Sequence, residues 1–162
     1  MFVRTARETD VPAIATICTE HWQGVSEHDI GADPVEAVVA DRFDERTIRK
    51  EVRFPDDWHG WVVAVEDDEI VAAGGGGMTD SAAGEVYSLF VHPEWFGSGA
   101  RTALLQTMTA QQVVDGAREQ WASCVDGDDS ALSFYSEHGF DVATRRSHDG
   151  TSVETVRFVR SV

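Results

Sequence analysis

"GEVYSLFVHPEWFGSGARTALL", residues 84–105, changes character halfway along. The first eight residues, with Val86, Tyr87, Leu89, Phe90 and Val91, read as a strand. His92 and Pro93 make a turn, and Gly97 and Gly99 follow two residues apart. Ala100, Leu104, Leu105 and Met108 then recur at helical spacing, which predicts a helix from Gly97 to about Gly116 with those four inward. A strand–Gly-x-Gly–helix unit has two readings. The first N–H groups of a helix have no partner within it, and bare glycine backbone lets a phosphate approach them. Alternatively, glycine only lets the chain turn. On this stretch alone both stay open.

Downstream, "WASCV" (121–125) reads as a strand whose composition predicts burial on both faces. Asp128 or Asp129 is placed to cap a short helix in which Ala131, Phe134, Tyr135 and His138 share one face. Gly139 stops that helix, and "FDVATRR" with "SVETVRFVR" forms a terminal hairpin around His148, Asp149 and Gly150. Upstream, "FVRTA" (2–6) alternates as a short strand, and Thr9 or Asp10 is placed to cap a helix carrying Ile14, Ile17 and Cys18. A polar loop (23–32) leads to Asp33 and Pro34, and a helix is expected from Val35 to about Val52, broken near Asp44. "GWVVAVEDDEIVAAGGGGM" (60–78) reads as two strands around an acidic turn at Asp67 and Asp68. The four glycines at 74–77 weaken the second strand's end. No Gly-Lys-Ser/Thr follows them, so they are not a Walker-type phosphate loop; a bulge or a close backbone approach is the reading that remains. Strands and helices mix along the chain, giving an α/β (α+β mixed) fold in a single domain spanning residues 1–162.

The chain's 162 residues can bury a core without metal or disulfide staples. Cys18 and Cys124 lie far apart without metal-type spacing, so a reduced, buried pair is expected. No apolar run approaches the roughly 20 residues of a membrane span, and the N-terminal stretch lacks a signal-peptide core, so a cytoplasmic location is expected. The charge is the unusual bulk feature. There are 29 acidic residues against 13 basic, a net charge of -16, and Lys50 is the single lysine. Such a surface repels nucleic acid and anionic membranes, so neither is expected as a partner. Acidic excess with scarce lysine resembles the cytoplasmic proteins of salt-accumulating halophiles; the alternative is an ordinary acidic protein.

The strand–Gly-x-Gly–helix unit and the later "DDSALSFYSEHGF" (128–140), together with the opening "VRTARETDVPAIATI", resemble the GNAT superfamily of acetyl-CoA-dependent N-acetyltransferases over nearly the whole chain. The resemblance implies a central mixed, mostly antiparallel sheet flanked by helices, with acetyl-CoA as cosubstrate and no metal. It implies that Leu89, Phe90 and Val91 offer backbone groups to the pantetheine arm, and that Gly97, Ser98, Gly99, Ala100, Arg101 and Thr102 hold the pyrophosphate. Asp128 stands where the family often has an asparagine that contacts the cofactor. Tyr135 matches the tyrosine that protonates the departing thiolate, and Glu85 a strand position where many members place the general base. Two residues depart from the pattern. Phe96 replaces a leading Gln or Arg, and Arg101 replaces a small residue; Arg101 is free to pair with a phosphate, to face solvent, or to narrow the site.

The chemistry expected is direct attack by a deprotonated amine, with no covalent enzyme intermediate. The acceptor is a small-molecule or peptide amine. The acidity of the polar loop favours a cationic one. A homodimer is left open. The rival reading is a non-catalytic acyl-CoA-binding or regulatory module of the same fold. His92 reads as a turn residue, His138 as helix-end packing, and Cys124 as inert.

Overall fold

The computed structural model describes residues 1–25, 42–55, 60–147 and 154–162. Seven strands form one sheet in the order β1-β2-β3-β4-β5-β7-β6: β1 (Phe2–Thr5), β2 (Gly60–Glu66), β3 (Glu69–Met78), β4 (Ala83–Val91), β5 (Glu119–Val125), β6 (Asp141–Ser147) and β7 (Glu154–Ser161). Neighbours are antiparallel except β4 and β5, which run parallel, as a strand–helix–strand connection requires. Among the described residues the α-helices are α1 (Val11–Val25), α2 (Glu45–Arg53), α3 (Ala100–Val114) and α4 (Asp129–Glu137). The mixed, mostly antiparallel sheet with flanking helices is the fold that the sequence predicts.

Alternation along the strands divides the core in two. Val62, Ala64, Ala72, Leu89 and Val91 point to one face and pack with Leu104, Leu105 and Met108 of α3 and with Tyr135 of α4. Trp61, Val63, Val65, Ala73 and Phe90 point to the other and pack with Ile14, Ile17 and Cys18 of α1 and Ile48 of α2. On that second face α1 lies against β3 and β4, and α2 against β2.

β5 therefore departs from the expected burial. Gln120, Ala122 and Val125 are buried, but Trp121 and Ser123 are only partly so, because no described helix covers β5 on the α1 side; Cys124, on the α3 side, is also partly buried. The first helix also starts differently. Glu8–Asp10 forms a single 3-10 turn, and the Asp10 carboxylate reaches back to accept from the Arg7 N–H (2.7 Å) and from Arg4 (2.6 Å). Asp10 thus ties the turn to β1 rather than capping the helix after it. Asp44 caps α2 by accepting from the Thr47 N–H, which is the expected break; the expected helix before it, Asp33, Pro34 and the turn at 148–150 lie outside the described residues.

The glycine run behaves as a bulge and a close approach together. Gly75 pairs with Ser88 and Gly76 with Val86, so Tyr87 is the extra residue in β4. A Cβ on Gly76 would collide with the Glu85 carbonyl oxygen and with Met108. At the turn between β2 and β3, Asp67 and Asp68 both take positive φ (49° and 64°), as a tight hairpin demands. Both cysteines are free; Cys18 is buried and Cys124 partly so.

Candidate active site

The ladder between β4 and β5 ends at Val86 and Ala122, while β5 stays paired with β7 along its whole length. Beyond that point β4 and β5 part, and β4 has no strand neighbour on its β5 side among the described residues. The His92 N–H donates to Val71 of β3 (2.9 Å), and antiparallel pairs alternate. Phe90 and Ser88 therefore share His92's orientation toward β3, while Leu89 and Val91 aim their N–H and C=O groups into the gap. Of the three residues expected to offer backbone groups there, two face it and Phe90 does not.

α3 begins beside this gap. Gly97 and Gly99 adopt φ of 78° and 87°, and a Cβ on either would meet nothing within 4 Å. These glycines precede the helix instead of belonging to it, and α3 starts at Ala100. The Ala100 N–H donates to Ser98 Oγ (3.3 Å), and Ala103 donates to Gly99. The Arg101 and Thr102 N–H groups have no partner among the described residues and sit at the positive end of the dipole. A cleft of about 320 Å³ opens over them, lined by Trp95, Phe96, Gly97, Arg101, Ser130 and Phe134, among others. This donor set fits an anion and the bare backbone lets it come close, which favours the cradle over the simple turn.

α4 closes the other wall. Tyr135 is 4% exposed, its ring packed against Phe140 and Phe158 at 5.2 and 5.4 Å between centroids. Its hydroxyl has no hydrogen-bond partner among the described residues. Burial raises the phenol pKa, and the Cys124 and Asp128 sites add to the rise while Arg101 opposes it, so the group stays protonated at neutral pH. The edge of β4 and the helix N-terminus over bare glycines meet at the cleft, and Tyr135 packs in the same core cluster as Leu89 and Val91.

Residues 22–140 match the model of the acetyltransferase (GNAT) family. The chain belongs to that family. No curated protein sequence matches it significantly. Among solved structures it is similar to the PaiA N-acetyltransferase of Thermoplasma acidophilum in complex with coenzyme A, with a TM-score of 0.84 at 15% identity over 99% of this chain and 98% of that one. It is also similar to a ribosomal-protein-alanine N-acetyltransferase of Brucella melitensis, with a TM-score of 0.72 at 16% identity over the whole of both chains. At these identities the likeness is one of fold.

The remaining GNAT-motif residues are not placed as free ligands. Asp128 caps α4 by accepting from the Ala131 N–H (3.1 Å), and its other oxygen lies 2.9 Å from His21 Nε2 of α1. Burial raises its pKa, but the His21 hydrogen bond and charge, the Ala131 N–H and Arg101 outweigh this and hold the carboxyl below its ordinary value. Arg101 lies across the cleft, with its guanidinium on Ser130 Oγ (3.1 Å) and over the Phe134 ring (5.3 Å). It narrows the cleft as it stands.

Glu85 is 7% exposed on the face of the sheet opposite α3 and α4, and both its oxygens accept from Arg157 of β7 (3.0 and 3.3 Å). Arg157 in turn lies over Trp121 of β5, 4.6 Å from the ring centroid.

His21, Arg157 and Trp121 carry no local sequence signal, because their partners are 107, 72 and 36 residues away. His92 and His138 behave as their local sequence indicates. His92 Nδ1 accepts from the Glu94 N–H, while His138 bonds to Phe134 and Thr102 and stacks on Phe134. The Cys124 thiol is pushed up to about 12 by burial and by Asp128 and Asp126, so it is not a nucleophile at neutral pH. No group of His, Cys, Asp or Glu suited to a metal occurs among the described residues.

Proposed function

We propose that the chain transfers an acetyl group from acetyl-CoA to a primary amine by direct attack, with no covalent enzyme intermediate. The observation that carries this reading is the glycine cradle opening beside the parted β4–β5 edge, with Tyr135 in the same core cluster as Leu89 and Val91. The cosubstrate supplies an activated thioester carbonyl. Gly97, Gly99 and the N–H groups of Arg101 and Thr102 hold its pyrophosphate, with Ser98 and Ala100 shaping the loop. Leu89 and Val91 bond the pantetheine arm as a missing strand would. Asp128 contributes by holding His21 and the start of α4 in place.

The cradle and Tyr135 lie on one face of the sheet, and the sheet can be crossed where β4 and β5 part. The amine therefore approaches from the other face, where Glu85 stands. Glu85 takes a proton from the ammonium form, directly or through water, leaving a nitrogen lone pair free to attack. Tyr135 gives its proton to the thiolate as the carbon–sulfur bond breaks, and regains one from the acylated nitrogen through water. The net products are an acetamide, the free thiol and one proton released to solvent.

A non-catalytic acyl-CoA-binding module is the second reading, favoured by Arg101 lying over the cleft and by Glu85 being tied to Arg157. Thiol release from acetyl-CoA, screened in 2 M KCl over amines, amino acids, polyamines, aminoglycosides and peptides, separates the two. Turnover with at least one amine that falls in Glu85→Gln supports the transferase. Tight acetyl-CoA binding with no turnover on any amine supports the module.

A further inference from the structure

The face of the sheet opposite α3 and α4, beside the parting, carries Glu85, Trp121 and Arg157 together. Trp121 lies directly opposite Glu85 in the β4–β5 ladder, and opposite Val159 in the β5–β7 ladder; Arg157 is two pairs further along, opposite Ser123, and so on the same face as Trp121. This places a cation, an aromatic floor and the proposed proton acceptor at the point where the acceptor amine must enter. The Arg157 side chain is 40% exposed while that of Glu85 is 10% exposed. The pair therefore has a buried carboxylate within and an accessible guanidinium without.

A guanidinium has five N–H donors, and the two bonds to Glu85 use two of them. Three donors remain beyond that pair. A planar cation held over an indole and partly exposed to solvent suits a second carboxylate or a like-shaped oxoanion. The setting sharpens this. The chain carries a net charge of -16, so an anionic acceptor is repelled everywhere that no cation is held ready for it.

The same pair poses a problem that such an acceptor solves. While Arg157 holds both oxygens of Glu85, each oxygen has one lone-pair direction engaged. An acceptor carboxylate that bonds the guanidinium draws positive charge outward and weakens its hold on Glu85. The acceptor's ammonium, a few bonds away, then meets a carboxylate oxygen with a lone pair released to accept its hydrogen bond.

We propose that the acceptor is an amine that also carries a carboxylate or similar oxoanion, and that Arg157 binds that anion and thereby frees Glu85. This rests on the transferase reading above and names its substrate class. It runs against the cationic acceptor that loop acidity favours; that loop lies largely outside the described residues.

The test is a set of matched acceptors given to the full chain with acetyl-CoA: α-amino acids and ω-amino acids, each against its own carboxamide, with spermidine as an amine without an anion. Thiol release should show kcat/KM at least tenfold higher for acids than for their amides. Arg157→Gln should bring the acids down to the amide level and leave acetyl-CoA affinity within twofold. Arg157→Lys should restore part of the preference, since it keeps the charge without the fork. Amides or spermidine turned over as fast as the acids by the unaltered chain would overturn the proposal and leave the transferase standing. So would an acid preference that survives in Arg157→Gln. No turnover with any acceptor, despite bound acetyl-CoA, would remove the transferase reading and this inference with it. A binding readout needs no turnover: with CoA present, N-acetyl amino acids should raise the melting temperature of the unaltered chain more than N-acetyl amino acid amides do. That difference should vanish in Arg157→Gln.

Discussion

His21 Nε2 and Asp128 Oδ2 lie 2.9 Å apart, and through this contact α1 and the first turn of α4 hold each other across the parted ends of β4 and β5. The His21 ring stacks on Phe90 of β4 at 4.1 Å between centroids, so the imidazole is fixed on one side of the gap and its partner on the other.

Asp128→Ala removes the cap of α4, which costs about 1 kcal/mol, and leaves a buried imidazole N–H unpaired, which costs about 1–3 kcal/mol more. A clear drop in melting temperature is expected, with Asp128→Asn losing less because its amide oxygen still caps. The pH dependence follows from sign. The folded-state pKa values of Asp128 and of Asp10 are both depressed, the latter because the Arg4 and Arg7 contacts outweigh burial. Such groups contribute stability above their unfolded pKa of about 3.9 and lose it as pH falls through the lower folded value. With general repulsion screened by 1 M KCl, the melting temperature should fall below about pH 4, and less steeply in Asp128→Asn. An identical acid slope in the variant would refute the pairing.

Tyr135→Phe keeps the ring that Phe140 and Phe158 pack against, so folding and acetyl-CoA affinity should hold. Turnover should drop by roughly 10²-fold, the lower end of general-acid contributions, because water can partly substitute. The measurement is kcat from thiol release together with the Kd for CoA. Unchanged kcat would mean the phenol gives no proton.

The glycines should divide by mechanism. Gly99→Glu places bulk and negative charge where the anion is bound and should abolish acetyl-CoA binding, while its positive φ costs the fold about 1–2 kcal/mol. Gly97→Ala meets open space and should cost only that strain. Gly76→Ala should be worse for folding than either, because its Cβ meets the Glu85 carbonyl and Met108. Calorimetry with acetyl-CoA and a thermal melt on each variant resolve the three. Equal destabilisation at 76 and 97 would contradict the bulge geometry.

The net charge of -16 predicts that stability rises as KCl goes from 0.1 to above 1 M, since the screening length falls from about 10 Å to about 3 Å. A melting temperature that is flat or falling across that range would leave the acidic surface without a role in salt tolerance.

Much of the fold was legible because it is written in short-range pattern. The β4 strand, the paired glycines, the inward face of α3 and the run from Asp128 to Gly139 each depend on residues within one or two turns of one another. Period, capping and positive-φ chemistry act over that range. The family resemblance has the same origin, as an ordered set of local signals. Tertiary structure decided what lies between those signals. Glu85 reads as a strand carboxylate with a family role, and only the pairing of β5 with β7 brings Arg157 to it from 72 residues away. Asp128 reads as a cap or a ligand, and only the packing of α1 on β4 brings His21 to its second oxygen. Phe90 reads as one of three equal backbone donors, and only the ladder with β3 turns it from the gap that Leu89 and Val91 face. Local patterns set which way a side chain points along its own element. Which group it meets depends on strand order and register, because those bring together residues far apart in the chain.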